Sequence, residues 1–327
     1  MLKRGFTLIE LLVALGLLAI VLLFLFDTFT YQHATYTVVD EVSEAQQNSQ
    51  AIGRLLERDI RNAGYMVPLQ AAACGIDNTN APDVLFVSDS EAILPADQLP
   101  VEYAGKVLGG KTGNDPGSTG STTVTVDNTV IDGTASYDTD GDGVNDSDFH
   151  VGGGAILVDT GNASRGVACG LVTAVDAGAN TVTVNFLNIL GINAPAGKSL
   201  VLVPAHVYQI AAGSNPPRLE RSGVLLAKDV EDFQVAWFYD DNTNNVVDAG
   251  EQRGISGVNY TANTIDGSKL REIRVNLILR TRTDDPRNPD NTGIGQALEN
   301  RATNIAAADG KHRRVHTATV RLRNLSL

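Results

Sequence analysis

The feature that most constrains this chain is one apolar run near its start, Phe6–Phe26, which is interrupted by a single charge at Glu10. A helix of that length is about 31 Å long, close to the hydrocarbon thickness of a bilayer. The basic residues Lys3 and Arg4 precede the run, which predicts a cytoplasmic N-terminus. The rest of the chain is therefore expected on the far side of an inner membrane.

Three ordinary interpretations of such a run fit less well. A secretory signal peptide has a shorter apolar region and a small-x-small cleavage site, and neither is present. A lipoprotein signal needs a cysteine directly after the run, whereas the first cysteine is Cys74. A plain membrane anchor explains the length but not the carboxylate of Glu10, because a charge inside the bilayer is costly and indicates a function.

The stretch from Gly5 to Leu11 reads Gly-Phe-Thr-Leu-Ile-Glu-Leu and resembles the class III leader of type IV pilins and type II secretion pseudopilins. The resemblance implies that a prepilin peptidase cleaves after Gly5 and N-methylates Phe6. It also implies that Glu10 sets the filament register by pairing with the new α-amino group of a neighbouring subunit. Opposite charges attract strongly at low dielectric, and each relieves the burial cost of the other.

The helix is predicted to continue beyond the membrane and to end near Gly64, which can adopt a left-handed cap. Apolar positions at spacings of three and four predict a buried face, with charged residues such as Asp59 placed elsewhere. That face consists of Val39, Val42, Ala45, Gln46, Ser49, Ile52, Leu55, Leu56 and Ile60. A coiled coil is the alternative for this amphipathic half, but its heptad pattern does not persist long enough.

Beyond the helix, short apolar runs separated by turn residues indicate strands. The predicted strands are 84–87, 122–130, 155–159, 167–175, 180–186, 199–210, 233–239, 273–281 and 316–323. The predicted fold class is α+β and type IV pilin-like, with one long helix packed on an antiparallel β-sheet head. The predicted parts are a leader at 1–5, the helix at 6–64 with its transmembrane half at 6–26, and a head at 65–327 with an inserted β-rich region at about 105–200.

Four stretches are similar to PilW-type minor pilins, and the similarity is poor over about 75–200. They are 59–65, 230–235, 271–277 and 317–324. The resemblance implies a low-copy subunit near the pilus tip that primes assembly. Its expected partners are the major pilin, other minor pilins, the inner-membrane assembly platform and a tip adhesin. A J-type pseudopilin of type II secretion is the nearest alternative, and an adhesion module formed by 105–200 is another.

The segment Asp240–Glu251 fits the twelve-position calcium loop, in which hard oxygens recur at fixed spacing on a curling backbone. The expected ligands are Asp240, Asn242, Asn244, the Val246 carbonyl, Asp248 and Glu251. Asn245 stands where glycine is usual, and asparagine tolerates the same left-handed backbone.

A second acidic segment, 138–148, matches the calcium pattern less completely because Phe149 stands at its twelfth position. Its candidate ligands are Asp138, Asp140, Asp142, Val144 and Asp146. A solvated turn rich in Asp, Asn and Gly is the alternative for both segments. The expected cofactor is therefore structural calcium, with flanking strands arguing against a helical calcium sensor.

The only two cysteines, Cys74 and Cys169, both follow the apolar run. An even count on the oxidising side of the membrane predicts one disulfide, with two separate buried thiols as the alternative.

The net charge of −13 argues against a broad nucleic-acid surface, which needs clustered Lys and Arg. The five histidines are scattered, and the sequence contains no nucleophile elbow, phosphate-binding glycine loop or paired-cysteine zinc pattern. We therefore predict no catalytic role.

Overall fold

The computed structural model describes residues 7–65, 67–88, 110–112, 115–126, 149–176, 178–192, 199–285, 298–302 and 309–325. It begins with one helix of 55 residues, Leu8–Asn62. Within the described ranges, this is the one helix that is long and apolar enough to cross a membrane. The chain then turns at Gly64, whose φ of +83° is the left-handed conformation that glycine adopts without strain.

The two halves of the helix have different surroundings. Residues 7–33 are all exposed, whereas the C-terminal half has a buried face at helical spacing. The buried residues are Ala45, Ser49, Ile52, Gly53, Leu56, Asp59 and Ile60. The predicted face is thus correct at Ala45, Ser49, Ile52, Leu56 and Ile60, whereas Val42 and Leu55 are half-buried. It is wrong at Val39 and Gln46, which are exposed. The placement of Asp59 away from this face is also wrong, because its side chain is completely buried.

Fourteen strands follow within the described residues. They are β1 (Ala73–Ile76), β2 (Val84–Val87), β3 (Gly110–Thr112), β4 (Gly120–Thr125), β5 (Gly154–Asp159), β6 (Val167–Asp176), β7 (Thr181–Phe186), β8 (Leu200–Ile210), β9 (Arg218–Arg221), β10 (Val224–Lys228), β11 (Val230–Tyr239), β12 (Gln252–Arg253), β13 (Leu270–Arg280) and β14 (Arg313–Arg321). Each predicted strand overlaps one of these. The prediction missed β1, β3, β9, β10 and β12, which have two to five residues each.

The strands form two antiparallel sheets. The smaller sheet has the order β12-β11-β13-β14, and the larger is a ten-stranded sheet whose main path is β1-β2-β8-β5-β6-β7-β4. In the larger sheet, β3 and β9 also pair with β8, and β10 pairs with β9. The helix packs mainly on β13 and β14. A Cβ atom at Gly53 would lie 2.2 Å from Nε2 of His316, so glycine permits this close approach of the helix to β14.

One hydrophobic core joins the helix and both sheets. It includes Leu56 of the helix, Trp237 of β11 and Phe86 of β2, all at most 1% exposed. The larger sheet contributes Ile156 and Cys169 to this same core. The predicted α+β class, one long helix packed on antiparallel sheet, is therefore confirmed.

The disulfide between Cys74 and Cys169 is present and links β1 to β6 within the larger sheet. The two Cα atoms are 6.2 Å apart, and both side chains are completely buried in the shared core. The link therefore spans 95 residues of sequence and ties the inserted region to the strand that follows the helix.

Candidate functional site

The start of the helix forms a capping box between Thr7 and Glu10. The Thr7 backbone N–H and hydroxyl donate to one carboxylate oxygen of Glu10 at 2.9 and 2.8 Å. In return, the backbone N–H of Glu10 donates to the Thr7 hydroxyl oxygen at 3.4 Å. This reciprocal arrangement satisfies amide groups that have no partner inside the helix. The processing residues Gly5 and Phe6 lie outside the described residues.

The cap gives Glu10 a role that the sequence analysis missed. Thr7-Leu8-Ile9-Glu10 has the Ser/Thr-x-x-Glu spacing that marks such a helix start, so the signal was available. Glu10 is exposed, and its pairing with another subunit stays a prediction.

The helix leaves the head beside the loop that follows β13. The backbone N–H and hydroxyl of Thr283 donate to the two carboxylate oxygens of Glu41 at 3.0 and 2.8 Å. Arg282 forms an ion pair with Glu44 one helical turn further on. These contacts fix a half-buried turn of the helix, 41–44, against the loop beside the smaller sheet, immediately before the buried face begins at Ala45.

A buried polar network ties the end of the helix to the larger sheet. One carboxylate oxygen of Asp59 accepts a hydrogen bond from the Tyr208 hydroxyl at 2.5 Å. The same oxygen forms an ion pair with the Arg221 guanidinium at 2.7 Å. The other carboxylate oxygen forms an ion pair at 3.0 Å with Arg58, whose side chain lies at the surface. Burial, together with the adjacent Asp59 carboxylate, raises the pKa of Tyr208 and keeps its hydroxyl protonated as a donor.

A second group of buried carboxylates lies between the loop after β1 and the start of β11. Asp83 accepts backbone N–H groups from Asn78 at 2.7 Å and Val235 at 2.8 Å. Burial raises the pKa of Asp83 to about 8 despite these bonds, and the neighbouring carboxylates of Asp77 and Asp232 add to the rise. The pKa of Asp232 is also raised, chiefly by burial.

The acidic loop after β11 curls as a calcium loop would. Asn245 has a φ of +63°, the left-handed conformation expected where glycine is usual. The two carboxylate oxygens of Asp240 accept the backbone N–H groups of Asn244 at 2.9 Å and Asn245 at 3.0 Å. Asp240 is completely buried, so the loop closes around its first predicted ligand.

The far end of the loop folds back onto its beginning. The two carboxylate oxygens of Glu251 accept backbone N–H groups from Asn242 at 3.1 Å and Asp248 at 2.7 Å. The side-chain amides of Asn242 and Asn244 each donate to one oxygen of Asp248 at 2.8 Å. The predicted side-chain ligands therefore bond to one another and to backbone amides of the loop, and Asp240 also pairs with Arg271 of β13 at 3.4 Å.

The backbone of this loop has the left-handed residue expected of a calcium loop, at Asn245. Its carboxylates are not gathered around one point. Across the described ranges, no three His, Cys, Asp or Glu side chains are grouped so that they could hold a metal ion. Calcium binding at Asp240–Glu251 thus stays a prediction. The second predicted loop, with Asp138, Asp140, Asp142, Val144 and Asp146, lies outside the described residues.

A comparison with known protein families identifies a motif at the N-terminus. Residues 1–26 match the family described as the prokaryotic N-terminal methylation motif. This match shows a type IV prepilin leader, which implies processing by a prepilin peptidase and assembly with other pilins. Because it covers a small part of the chain, it leaves the particular filament open.

A type IV-like pilin from Thermus thermophilus is among the similar solved structures. It is 15% identical, with 54% of this chain and 89% of that chain covered and a TM-score of 0.26. The comparison with curated proteins found no significant match.

Proposed function

We propose that this protein is a minor pilin of the PilW type, incorporated at low copy near the tip of a type IV pilus. The observation that carries the proposal is a prepilin leader on a helix whose residues 7–33 are all exposed. The exposed apolar side chains up to Phe26 need a membrane around them before assembly and other helices around them afterwards. The role is structural rather than catalytic, with the head extending from the filament.

Assembly would change the contacts of the helix start. After a prepilin peptidase cuts behind Gly5, the methylated α-amino group of Phe6 would carry a positive charge. Glu10 would then exchange its hydrogen bonds with Thr7 for an ion pair with the amino group of a neighbouring subunit. In a bundle of helices, each of the two opposite charges would offset part of the cost of burying the other.

The position of the PilW-like stretches supports the finer assignment. Residues 59–65 end the helix, while 230–235, 271–277 and 317–324 lie in or directly after β11, β13 and β14. The four stretches thus occupy the helix and the sheet that packs on it. The described strands of the poorly matching region belong to the larger sheet, as expected for decoration added to a shared scaffold.

Deletion of the gene tests the proposal against the J-type pseudopilin alternative. We expect loss of surface pili in electron micrographs, normal secretion of type II substrates, and recovery of pili when the full chain is supplied. Loss of secretion with normal pili would instead identify a pseudopilin. If neither pili nor secretion changes, the assembly role is wrong.

An adhesion module is a second candidate, favoured by two apolar side chains on the larger sheet region. Val151 and Ile192 are 65% and 69% exposed. Removing 105–200 is a poor test, since Ile156 and Cys169 belong to the main core. Val151→Asp and Ile192→Asp are better, because they should reduce attachment without reducing pilus number. Unchanged attachment would argue against adhesion through these residues.

We also propose that Asp240–Glu251 binds calcium as a structural cofactor. The support is the left-handed Asn245 and the enclosure of Asp240 by the loop amides. Calcium would replace hydrogen bonds among the side chains of Asn242, Asn244 and Asp248 with bonds to a single cation. Its effect would be to stiffen the connection between β11 and β12.

A further inference from the structure

The last strand, β14, forms an open edge of the smaller sheet. Among the described strands it pairs only with β13, in a register that is continuous from Arg313 to Arg321. Natural proteins protect such edges with bulges, prolines, inserted charges or very short strands. β14 has nine residues, with no bulge or proline and no Lys, Arg, Asp or Glu between Arg314 and Arg321. It is therefore the longest unprotected edge strand in the described part of the chain.

Alternate residues of β14 direct their backbone groups towards this edge. The Leu322 N–H donates to the Arg271 carbonyl at 2.9 Å, and in this register the even-numbered residues of β14 form the hydrogen-bonded pairs with β13. The N–H and C=O groups of the odd-numbered residues therefore point away from β13. The outward residues beyond Arg313 are Val315, Thr317, Thr319 and Arg321. No hydrogen bond from these outward groups joins β14 to another described element.

The side chains of the outward residues are accessible as well. The helix covers the opposite face of the strand, where Ala318 and Val320 are buried. All four outward residues are exposed, and even the apolar Val315 is 42% exposed. A partner strand can therefore reach both the backbone and the side chains along this edge.

The ends of β14 are basic although the chain as a whole is acidic. From Gly310 onward there are five Lys and Arg residues and no Asp or Glu, whereas the whole chain has 38 acidic and 25 basic residues. Arg313 pairs within the chain, with Glu231 and Asp309. Arg314 and Arg321 are exposed, and neither forms an ion pair with a described residue. Both can therefore accept a carboxylate from a partner.

A second copy of β14 is a poor partner for this edge. Antiparallel pairing of two copies would place the Arg313–Arg314 end of each strand beside the Arg321 end of the other. Parallel pairing in register would place each arginine beside its equivalent. Like charges directly opposite each other on adjacent strands are destabilising. A strand with carboxylates at its two ends would instead compensate Arg314 and Arg321.

We propose that β14 is a docking edge for a different protein, whose extended segment adds to the smaller sheet as a fifth strand and carries acidic residues opposite Arg314 and Arg321. Main-chain hydrogen bonds to the outward groups of β14 supply the affinity, and the two ion pairs select the partner. The inference rests on the free edge and its charge, and it does not depend on the proposed role in a pilus.

Binding of synthetic peptides to the full chain in detergent tests the docking edge. The probe is fluorescently labelled Glu-Thr-Val-Thr-Val-Thr-Glu, and the matched peptide has Lys in place of both Glu residues. Thr317→Pro removes one outward N–H without removing a hydrogen bond to β13. Thr123→Pro is the matched control, because the Thr123 N–H points outward from β4, an edge strand of the larger sheet without Lys or Arg. Each substitution also removes one cross-strand hydroxyl contact.

A second pair of variants tests the charge without changing the backbone. Arg314→Glu combined with Arg321→Glu reverses the charge of the docking edge. Arg54→Glu is the control, since Arg54 is an exposed arginine on the helix. Circular dichroism of every variant establishes that it is folded.

Fluorescence anisotropy should show that the native chain binds the acidic peptide about tenfold more tightly than the lysine peptide. Thr317→Pro should weaken binding of the acidic peptide by about tenfold, and the double charge variant should prefer the lysine peptide. Thr123→Pro and Arg54→Glu should bind as the native chain does. Equal affinity of the native chain for the two peptides would overturn the proposal, as would a folded Thr317→Pro with native binding. If Thr317→Pro does not fold, an unchanged preference in the double charge variant would overturn it.

Discussion

The hydroxyl of Tyr208 donates a 2.5 Å hydrogen bond to the carboxylate of Asp59, and both side chains are completely buried. Asp59 lies near the end of the helix and Tyr208 lies in β8, so this contact joins the helix to the larger sheet. Arg221 of β9 compensates the charge of the carboxylate at 2.7 Å. A carboxylate can remain buried there because it has both a counter-charge and a hydrogen-bond donor.

Replacing Asp59→Ala should lower the free energy of unfolding by about 3–5 kcal/mol, because it leaves Arg221 without its buried counter-charge. Tyr208→Phe should lower it by about 1 kcal/mol, the usual contribution of one hydrogen bond. Urea unfolding of the detergent-solubilised chain measures both. Arg58→Ala is the control, since Arg58 is 51% exposed and should contribute little. If Asp59→Ala lowers the free energy of unfolding no more than Arg58→Ala does, the buried network does not stabilise the fold as proposed.

Replacing both Cys74 and Cys169 with Ser should destabilise the chain by about 4–5 kcal/mol, the entropic value for a closed loop of this length. Thermal unfolding with and without a reductant measures the change. The reductant should bring the native chain to the stability of the double variant and leave that variant unaffected. A native chain that is insensitive to complete reduction would contradict the expected contribution.

The pKa of Asp83 predicts a pH dependence of stability. Because the folded pKa is about 8 and the unfolded value is 3.8, the folded chain binds more protons between these pH values. The contribution of Asp83 to stability is therefore complete below about pH 4 and is lost as the pH rises through about 8. Urea unfolding at pH 5, 7 and 9 should show this decline, with a smaller decline in Asp83→Asn. Identical slopes in the two chains would refute the assignment.

Calcium at millimolar concentration should raise the thermal unfolding temperature of the solubilised chain and give saturable heat in titration calorimetry. Ligand at a hundred times its Kd stabilises a protein by about 2.7 kcal/mol. Asp240→Ala should remove both signals. Asp241→Ala is the matched control, because Asp241 pairs with Arg253 and is not among the predicted ligands. The absence of heat with the native chain would rule out calcium at this loop.

Substitutions of Glu10 separate its two proposed roles. Glu10→Gln should preserve the capping box but remove the charge, whereas Glu10→Ala should remove both. If the charge sets filament register, both variants should insert and be cleaved after Gly5 but be strongly depleted from sheared pili. Immunoblots of membrane and pilus fractions measure this. Normal incorporation of Glu10→Gln would assign Glu10 to the cap alone.

Local patterns in the sequence were enough to predict the long helix and nine of the fourteen described strands. β7 alternates half-buried and buried residues from Thr181 to Phe186, and this alternation predicts a strand directly. The disulfide followed from there being only two cysteines. β1, by contrast, has four residues and carries no periodic signal, and its position depends on pairing with β2.

The buried network at Asp59 could not be predicted in this way. Its partners Tyr208 and Arg221 are 149 and 162 residues away in sequence. A charged residue on an amphipathic helix is usually exposed, so the local rule placed Asp59 on the wrong side. Only the tertiary arrangement, which brings β8 and β9 to the end of the helix, provides the compensating groups.

The disulfide between Cys74 and Cys169 has a mechanical consequence. A tensile load applied to the inserted strands would pass through this covalent link into β1, which begins eleven residues after the helix ends at Asn62. The load would therefore not have to pass through the noncovalent strand pairs between the inserted region and β8. The head would then transmit force from its larger sheet to the helix even when some of those pairs have separated.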